Sequence, residues 1–394
     1  MRDCMAKTHM VSERVAELPH SIFSKFVGLT SKGIISLGPG EPDFVTPQHI
    51  TKAAKKAIDE GYTHYPPTAG YPDLLEALAK KLRKTNGIKV NDPQKQICVT
   101  CGSTESLLLS LFSTVDPTEA VLIPDPGFFA YGPMIEIMDA EPIPYGLSDA
   151  DGFQIDIDQM KKLIRPKTVG IVLNTPSNPT GTVLKRSVLE EIADIAVDNN
   201  LMIISDEAYE DFVFNRQKHV SIGSFNGMED YVVTNFSFSK SYAMAGFRVG
   251  YAVGPQEFIE TMSKDHVYTS VSAPAISQRA ALAAVTGPQK CVEDMRKEYE
   301  KRRDYMLKRL DGISCLEVKT KPEGAFYVFP RIHSLGKMDS EKFSLWLMKE
   351  AKVTTIPGGE FGQMGEGFIR LSYATDIKLI AEAMDRFEKL LGSK

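Results

Sequence analysis

Cysteine is scarce in this chain, five in 394 residues, and the count is odd. That argues against a disulfide framework and suits a reducing compartment. Long hydrophobic runs are missing too: none approaches the ~18–20 apolar residues of a membrane-spanning helix. The opening stretch, MRDCMAKTHMVSERV, lacks the apolar centre of a secretion signal, so the chain is expected to stay in the cytoplasm. No block of basic residues is present, and a net charge of −5 spread along the chain argues against nucleic acid as a partner. No strand pattern is followed by G-x-G-x-x-G, which removes the usual nicotinamide-binding turn. Repeats, low-complexity segments and long Pro/Gly/Ser linkers are absent as well.

What is there reads as an ordinary globular protein, 43% hydrophobic and 25% charged, long enough for two domains. From 46 to 285 helix and strand patterns alternate. Thr46 is the expected N-cap and Pro47 the first residue of a helix ending by Gly61, and Pro72 opens another that Asn86-Gly87 stops. Apolar runs at Gln96–Thr100, Ala120–Ile123, Val169–Leu173, Met202–Ser205, Tyr231–Asn235 and Val249–Val253 read as buried strands. The pattern predicts an α/β domain with a mainly parallel sheet between helices, binding its ligand beyond the strands' carboxyl ends. Beyond 286 a long charged helix (Gln289–Leu310), a strand-like EGAFYVFPRI, a helix near Ser340–Ala351, strands in VTTIPGG and EGFIRLSYA, and a last helix from Asp376 suggest a smaller α+β domain.

The strand ends carry the chemistry. The turn TCGST opens a helix, so the amides at Gly102, Ser103 and Thr104 offer an anion site, although such residues also cap helices for structural reasons. Phe128 follows the next strand, Asn178 sits in the turn NTPSNPTG, Asp206 ends MIISD, and Tyr209 lies three residues on. Ser237 and Lys240 stand in SFSK, with Arg248 after them. Each has a bland reading, but together they match pyridoxal 5′-phosphate: an anion cup, an aromatic plate, oxygen partners, a carboxylate for the ring nitrogen and a lysine for the aldehyde. The C-x-x-C of Cys98 and Cys101 could be a redox or zinc site, or two small buried strand residues; the second reading is adopted, and no metal site is expected.

The motifs NPTG, SDEAY and SFSKSYAMAGFRVG, in that order, make the chain resemble a class I/II pyridoxal-phosphate aminotransferase of fold type I, close to the archaeal and bacterial aspartate and aromatic group. The likeness runs from SLGPGEPDF to FIRLSY. It implies a large cofactor domain with a seven-stranded, mainly parallel sheet over 46–285, and a small domain made of 1–45 with 286–394. It further implies that Lys240 forms the internal aldimine, Asp206 pairs with the ring nitrogen, and Asn178 and Tyr209 bond the 3′-oxygen. Phe128 would stack on the ring, while Ser103, Thr104, Ser237 and Arg248 hold the phosphate. Tyr65 resembles the tyrosine that reaches the phosphate of a neighbouring subunit, implying a homodimer with shared sites. Gly40, Asn178 and Arg370 resemble the groups holding the substrate's α-carboxylate.

The expected reaction is ping-pong transamination between an L-amino acid, aspartate or an aromatic one, and 2-oxoglutarate. A C–S β-lyase of the same fold, or an aminotransferase of alanine or other specificity, is the alternative. Some bacterial aspartate-specific relatives place a lysine where this chain has Thr104; Ile22, Phe23 and Phe361 would favour a flat ring, or merely pack the N-terminal segment.

Overall fold

The computed structural model describes residues 12–16, 18, 33–333 and 338–392. Ile22 and Phe23 lie outside them. After a short strand β1 (Ile35–Ser36), seven strands build one sheet: β2 (Ile97–Thr100), β3 (Ala120–Asp125), β4 (Glu141–Gly146), β5 (Thr168–Asn174), β6 (Met202–Asp206), β7 (Val232–Ser237) and β8 (Gly250–Val253). Their spatial order is β2-β8-β7-β6-β5-β3-β4. The five from β7 to β4 run parallel, and β8 is antiparallel to both its neighbours. Every residue of β7 is buried, as expected of a central strand covered by helices on both faces. Two apolar clusters line these faces, one around Leu122, Ile171 and Ile203, the other around Val121, Val172 and Ile204. Adjacent residues of each strand thus point into opposite layers.

Six of the seven strands coincide with the apolar runs of the sequence. The seventh, EPIPYG, does not read as a strand because Pro142 and Pro144 cannot donate to a ladder. It is tolerated as β4, at the edge, where Glu141, Pro144 and Gly146 are exposed and Ile143 and Tyr145 are buried. Two local expectations are corrected. Pro47, not Thr46, is the cap of helix Gln48–Asp59, while Thr46 Oγ1 donates to Ala243 O at 2.5 Å. EGAFYVFPRI is not one strand but two short ones, β10 (Tyr327–Val328) and β11 (Arg331–Ile332), split at Phe329-Pro330.

The C-terminal part adds β9 (Leu316–Glu317), β12 (Val353–Thr354), β13 (Ile356–Pro357), β14 (Ile369–Ser372) and the helices Lys290–Leu310, Ser340–Glu350 and Ile377–Leu391. Its core centres on Tyr299, Phe326, Phe343 and Phe387. The N-terminal strand joins it: β1 pairs in parallel with β12, Ile35 opposite Val353. Tyr209 and Phe212, which follow β6, enter the same cluster. The chain after β6 therefore ties the sheet to the C-terminal layer, and the groove between them lies over the carboxyl ends of β5, β6 and β7.

Candidate active site

In that groove is a cavity of about 350 Å³, lined among others by Gly40, Ser103, Thr104, Phe128, Asn178, Asp206, Tyr209, Ser237, Lys240, Arg248 and Arg370. These are eleven of the twelve residues expected from the sequence. Tyr65 is the exception: it is 83% exposed and borders a separate cleft with Pro66 and Ser272–Ile276.

Lys240 stands on a single helical turn, Phe238–Ser241, which Ser237 caps by accepting from Ser239 N at 3.2 Å. The turn lifts the lysine off the end of β7 into the cavity, where Nζ donates to the carbonyl of Gly40. Burial pushes its ammonium down to about 8; Glu41 and Asp206 oppose the shift, and Arg370 and Arg248 add to it. An amine in that range exchanges protons near neutrality, as a general base requires.

Asp206 closes β6 and is 5% exposed. Tyr131 Oη donates to its Oδ2 at 2.7 Å, and the amide of Ala208 reaches Oδ1 at 3.2 Å. Burial raises the carboxyl to about 6 despite those two donors. A cation placed beside it would restore the ordinary carboxylate range. Tyr209 meets Tyr327, hydroxyl to hydroxyl, at 2.7 Å. Neither Tyr131 nor Tyr327 was singled out in the sequence. Both look like core aromatics there, and only the folded chain brings their hydroxyls to Asp206 and Tyr209.

At one end of the cavity Gly102 turns the chain with φ +84° into helix Ser103–Phe112. The Arg248 guanidinium packs over this turn so closely that a Cβ on Gly102 would lie 2.5 Å from its Nη2. Gly250 lets β8 pass the same turn, since a Cβ there would sit 2.6 Å from Ser103 N. The helix N-terminus, the Ser103, Thr104 and Ser237 hydroxyls and Arg248 thus form a cup suited to an anion.

At the other end Arg370, on β14, is 2% exposed. Nη1 donates to Asn178 Oδ1 at 2.7 Å and Nη2 to Gly38 O at 2.6 Å, while Nε has no partner. Rings of Tyr327 and Phe361 lie 4.3 and 4.9 Å from its central carbon. No carboxylate among the described residues pairs with it. Leaving such a charge uncompensated costs on the order of 3–5 kcal/mol, which a carboxylate ligand would recover in bidentate contact. Phe361 supports the guanidinium but does not line the cavity, correcting the idea that it forms the cleft wall.

Pyridoxal phosphate fits these residues. The glycine-backed cup takes a phosphate, the buried carboxyl awaits a cation, and the amine lies between them and a guanidinium lacking a counter-ion.

The profile of the family described as aminotransferase class I and II matches residues 32–387. An aspartate aminotransferase of Pyrococcus abyssi is 45% identical over 365 residues, 92% of this chain and 93% of that one. The aromatic-amino-acid aminotransferase 2 of Thermococcus litoralis is 43% identical over 388 residues, covering 98% and 99%. Among solved structures, the aromatic aminotransferase of Pyrococcus horikoshii superposes with a TM-score of 0.87 at 43% identity, over 94% of this chain and 98% of that one.

Proposed function

The chain belongs to the class I and II aminotransferases, and from that premise we propose that it moves an amino group from an L-amino acid to 2-oxoglutarate in a ping-pong cycle, with pyridoxal 5′-phosphate as its resident cofactor. The observation that carries this reading is the cavity itself: one space holds a lysine with a lowered pKa, a buried carboxyl, an anion cup and an arginine without a counter-ion.

When bound, the cofactor supplies an electron sink for the pair left as the substrate's Cα–H bond breaks. Arg370, backed by Asn178, grips the substrate's α-carboxylate through its planar fork. Asp206 would hold a proton on the ring nitrogen, with Tyr131 fixing the carboxylate for that task. Asn178 and Tyr209 would bond the cofactor's 3′-oxygen, Phe128 would pack on its ring, and Ser103, Thr104, Ser237 and Arg248 would hold its phosphate. Lys240 would hold the aldehyde carbon in the resting enzyme, and as a free amine its Nζ would remove the substrate's Cα proton as general base.

For the donor we favour aromatic amino acids and aspartate, after the relatives named for them. Phe128, Phe129 and Tyr327 line the cavity, and its three cations, Lys240, Arg248 and Arg370, all have other tasks. We further take 46–285 as the large domain, 1–45 with 286–394 as the small one, and a cytoplasmic homodimer sharing sites through Tyr65 as the working unit. The test is a panel of amino donors, each assayed with and without 2-oxoglutarate, pyruvate or oxaloacetate. Turnover of phenylalanine, tyrosine or aspartate that stops when the 2-oxo acid is omitted supports transamination. Turnover of a sulfur amino acid without acceptor would instead identify a C–S lyase.

A further inference from the structure

Cys98 and Cys101 take no part in the cavity, yet they do more than fill space. Cys98 is wholly buried on β2, its Sγ 3.6 Å from His266 Nδ1. Cys101 lies where β2 gives way to the anion-binding turn. Its Sγ, an oxygen of Glu105 and a ring nitrogen of His266 all fall within 4.8 Å of one another. Glu105 comes from the first turn of helix Ser103–Phe112 and His266 from the last turn of helix Gln256–Thr269. We infer that Cys101, Glu105 and His266 form a site for a thiophilic divalent cation of the zinc class, set against the back of the anion cup.

His266 offers such an ion a buried, poorly bonded nitrogen. The residue is 0% exposed, and its Nε2 forms an ion pair with Glu105 Oε2 at 3.3 Å without a well-directed hydrogen bond. Nitrogen and oxygen ligands each about 2.0–2.2 Å from a tetrahedral zinc lie about 3.3–3.5 Å apart. The spacing of this pair therefore also suits two ligands of one ion, which would take the place of the Nε2 proton. The carboxylate is already aimed: Oε1 accepts from Thr269 and Ser270 hydroxyls at 3.1 and 2.5 Å, and Oε2 from the Cys101 amide at 2.6 Å. Of about four lone-pair sites on a carboxylate, the remaining one is on Oε2, the oxygen nearest His266. Cys98 completes the arrangement from behind. Where its sulfur accepts the Nδ1 proton, Nε2 is the nitrogen that faces the ion, and bound imidazoles depend on such a second partner. Binding forms the S–metal and N–metal bonds as the Cys101 thiol and His266 Nε2 give up their protons to solvent. Three protein ligands leave one position for water.

The test needs no knowledge of the reaction. Protein freed of metal with a chelator is titrated with Co²⁺. A single equivalent should bind with a near-ultraviolet thiolate-to-cobalt band, and Zn²⁺ should displace it. Cys101→Ser and His266→Gln should each abolish the band, whereas Cys98→Ala should keep it and weaken binding about 10–100-fold. Cys291→Ser, distant from the cluster, should change nothing. Absence of any band in the unmutated protein overturns the proposal, as does a band that survives Cys101→Ser.

Discussion

Lys240 occupies a place where an ammonium is poorly solvated, and its reactivity should report this directly. Its folded value of about 8 lies below the 10.5 of a free side chain. The proton is therefore lost earlier in the native state, and the folded protein carries an electrostatic cost below about pH 8 that fades as the pH rises toward 10.5. In cofactor-free protein, acylation of Lys240 followed by peptide mapping should show a midpoint near 8, while exposed lysines titrate about two units higher. Arg370→Leu should move that midpoint up and Glu41→Gln move it down, since the two charges act in opposite directions. A Lys240 midpoint equal to that of surface lysines would remove the case for this residue as the proton carrier. Asp206 gives the second prediction at this scale. Asp206→Asn keeps the shape and the Tyr131 contact but removes the charge, so single-turnover Cα–H cleavage should fall about 10²-fold or more, with cofactor affinity changing far less. A carboxylate that merely caps the Ala208 amide would show the reverse: lower stability and a nearly unchanged rate.

Elements differ in how clearly the sequence announces them. β6 and β7 are legible because each opens on a short apolar run, Leu201–Ile204 before Asp206 and Tyr231–Val233 on the way to Ser237. A buried parallel strand needs no alternation. β4 is not, because its prolines speak against any strand and only its position at the sheet edge excuses them. The site shows the same division. Lysine, aspartate and arginine at strand ends are conspicuous as charges where burial is expected. Tyr131 and Tyr327 carry no such mark, since a tyrosine in an apolar stretch is core until the fold supplies a partner for its hydroxyl. The turn TCGST belongs with the legible elements, and it can be tested as one. Gly102 holds φ +84°, and the space its side chain would need is taken by Arg248. Gly102→Ala should cost about 1–3 kcal/mol of local strain, equivalent to about 5–150-fold in affinity for whatever the cup holds. Titration of cofactor-free protein with pyridoxal phosphate and with pyridoxal separates the outcomes. Loss confined to the phosphorylated compound locates the effect in the cup, and equal loss for both would refute that placement.

At the scale of the whole molecule, Tyr65 stands away from its own chain's cavity, as a residue reaching a neighbouring subunit would. It projects 83% exposed, and Tyr268 is 88% exposed, both unusual for large aromatic rings. Val271 near them holds φ +66°, a backbone conformation a β-branched residue adopts only under constraint. Exposed aromatics beside a strained turn are what a surface covered by another subunit would present. Among the described residues none places a tyrosine hydroxyl in the anion cup of the same chain, so a second copy could complete it. Subunit exchange tests this without a structure of the assembly. Lys240→Ala lacks the amine, and Tyr65→Ala lacks the reaching tyrosine, so each alone should be inactive or nearly so. In a mixed dimer one site draws Lys240 from the Tyr65→Ala chain and Tyr65 from the Lys240→Ala chain, and is therefore native. Random exchange makes about half the dimers mixed, each with one native site of two, so recovery should approach about a quarter of the unmutated activity. Exchange proven by differently tagged chains, with no activity regained, would mean that each subunit works alone. Tyr65 would then be a surface residue of the Pro66-Pro67 turn.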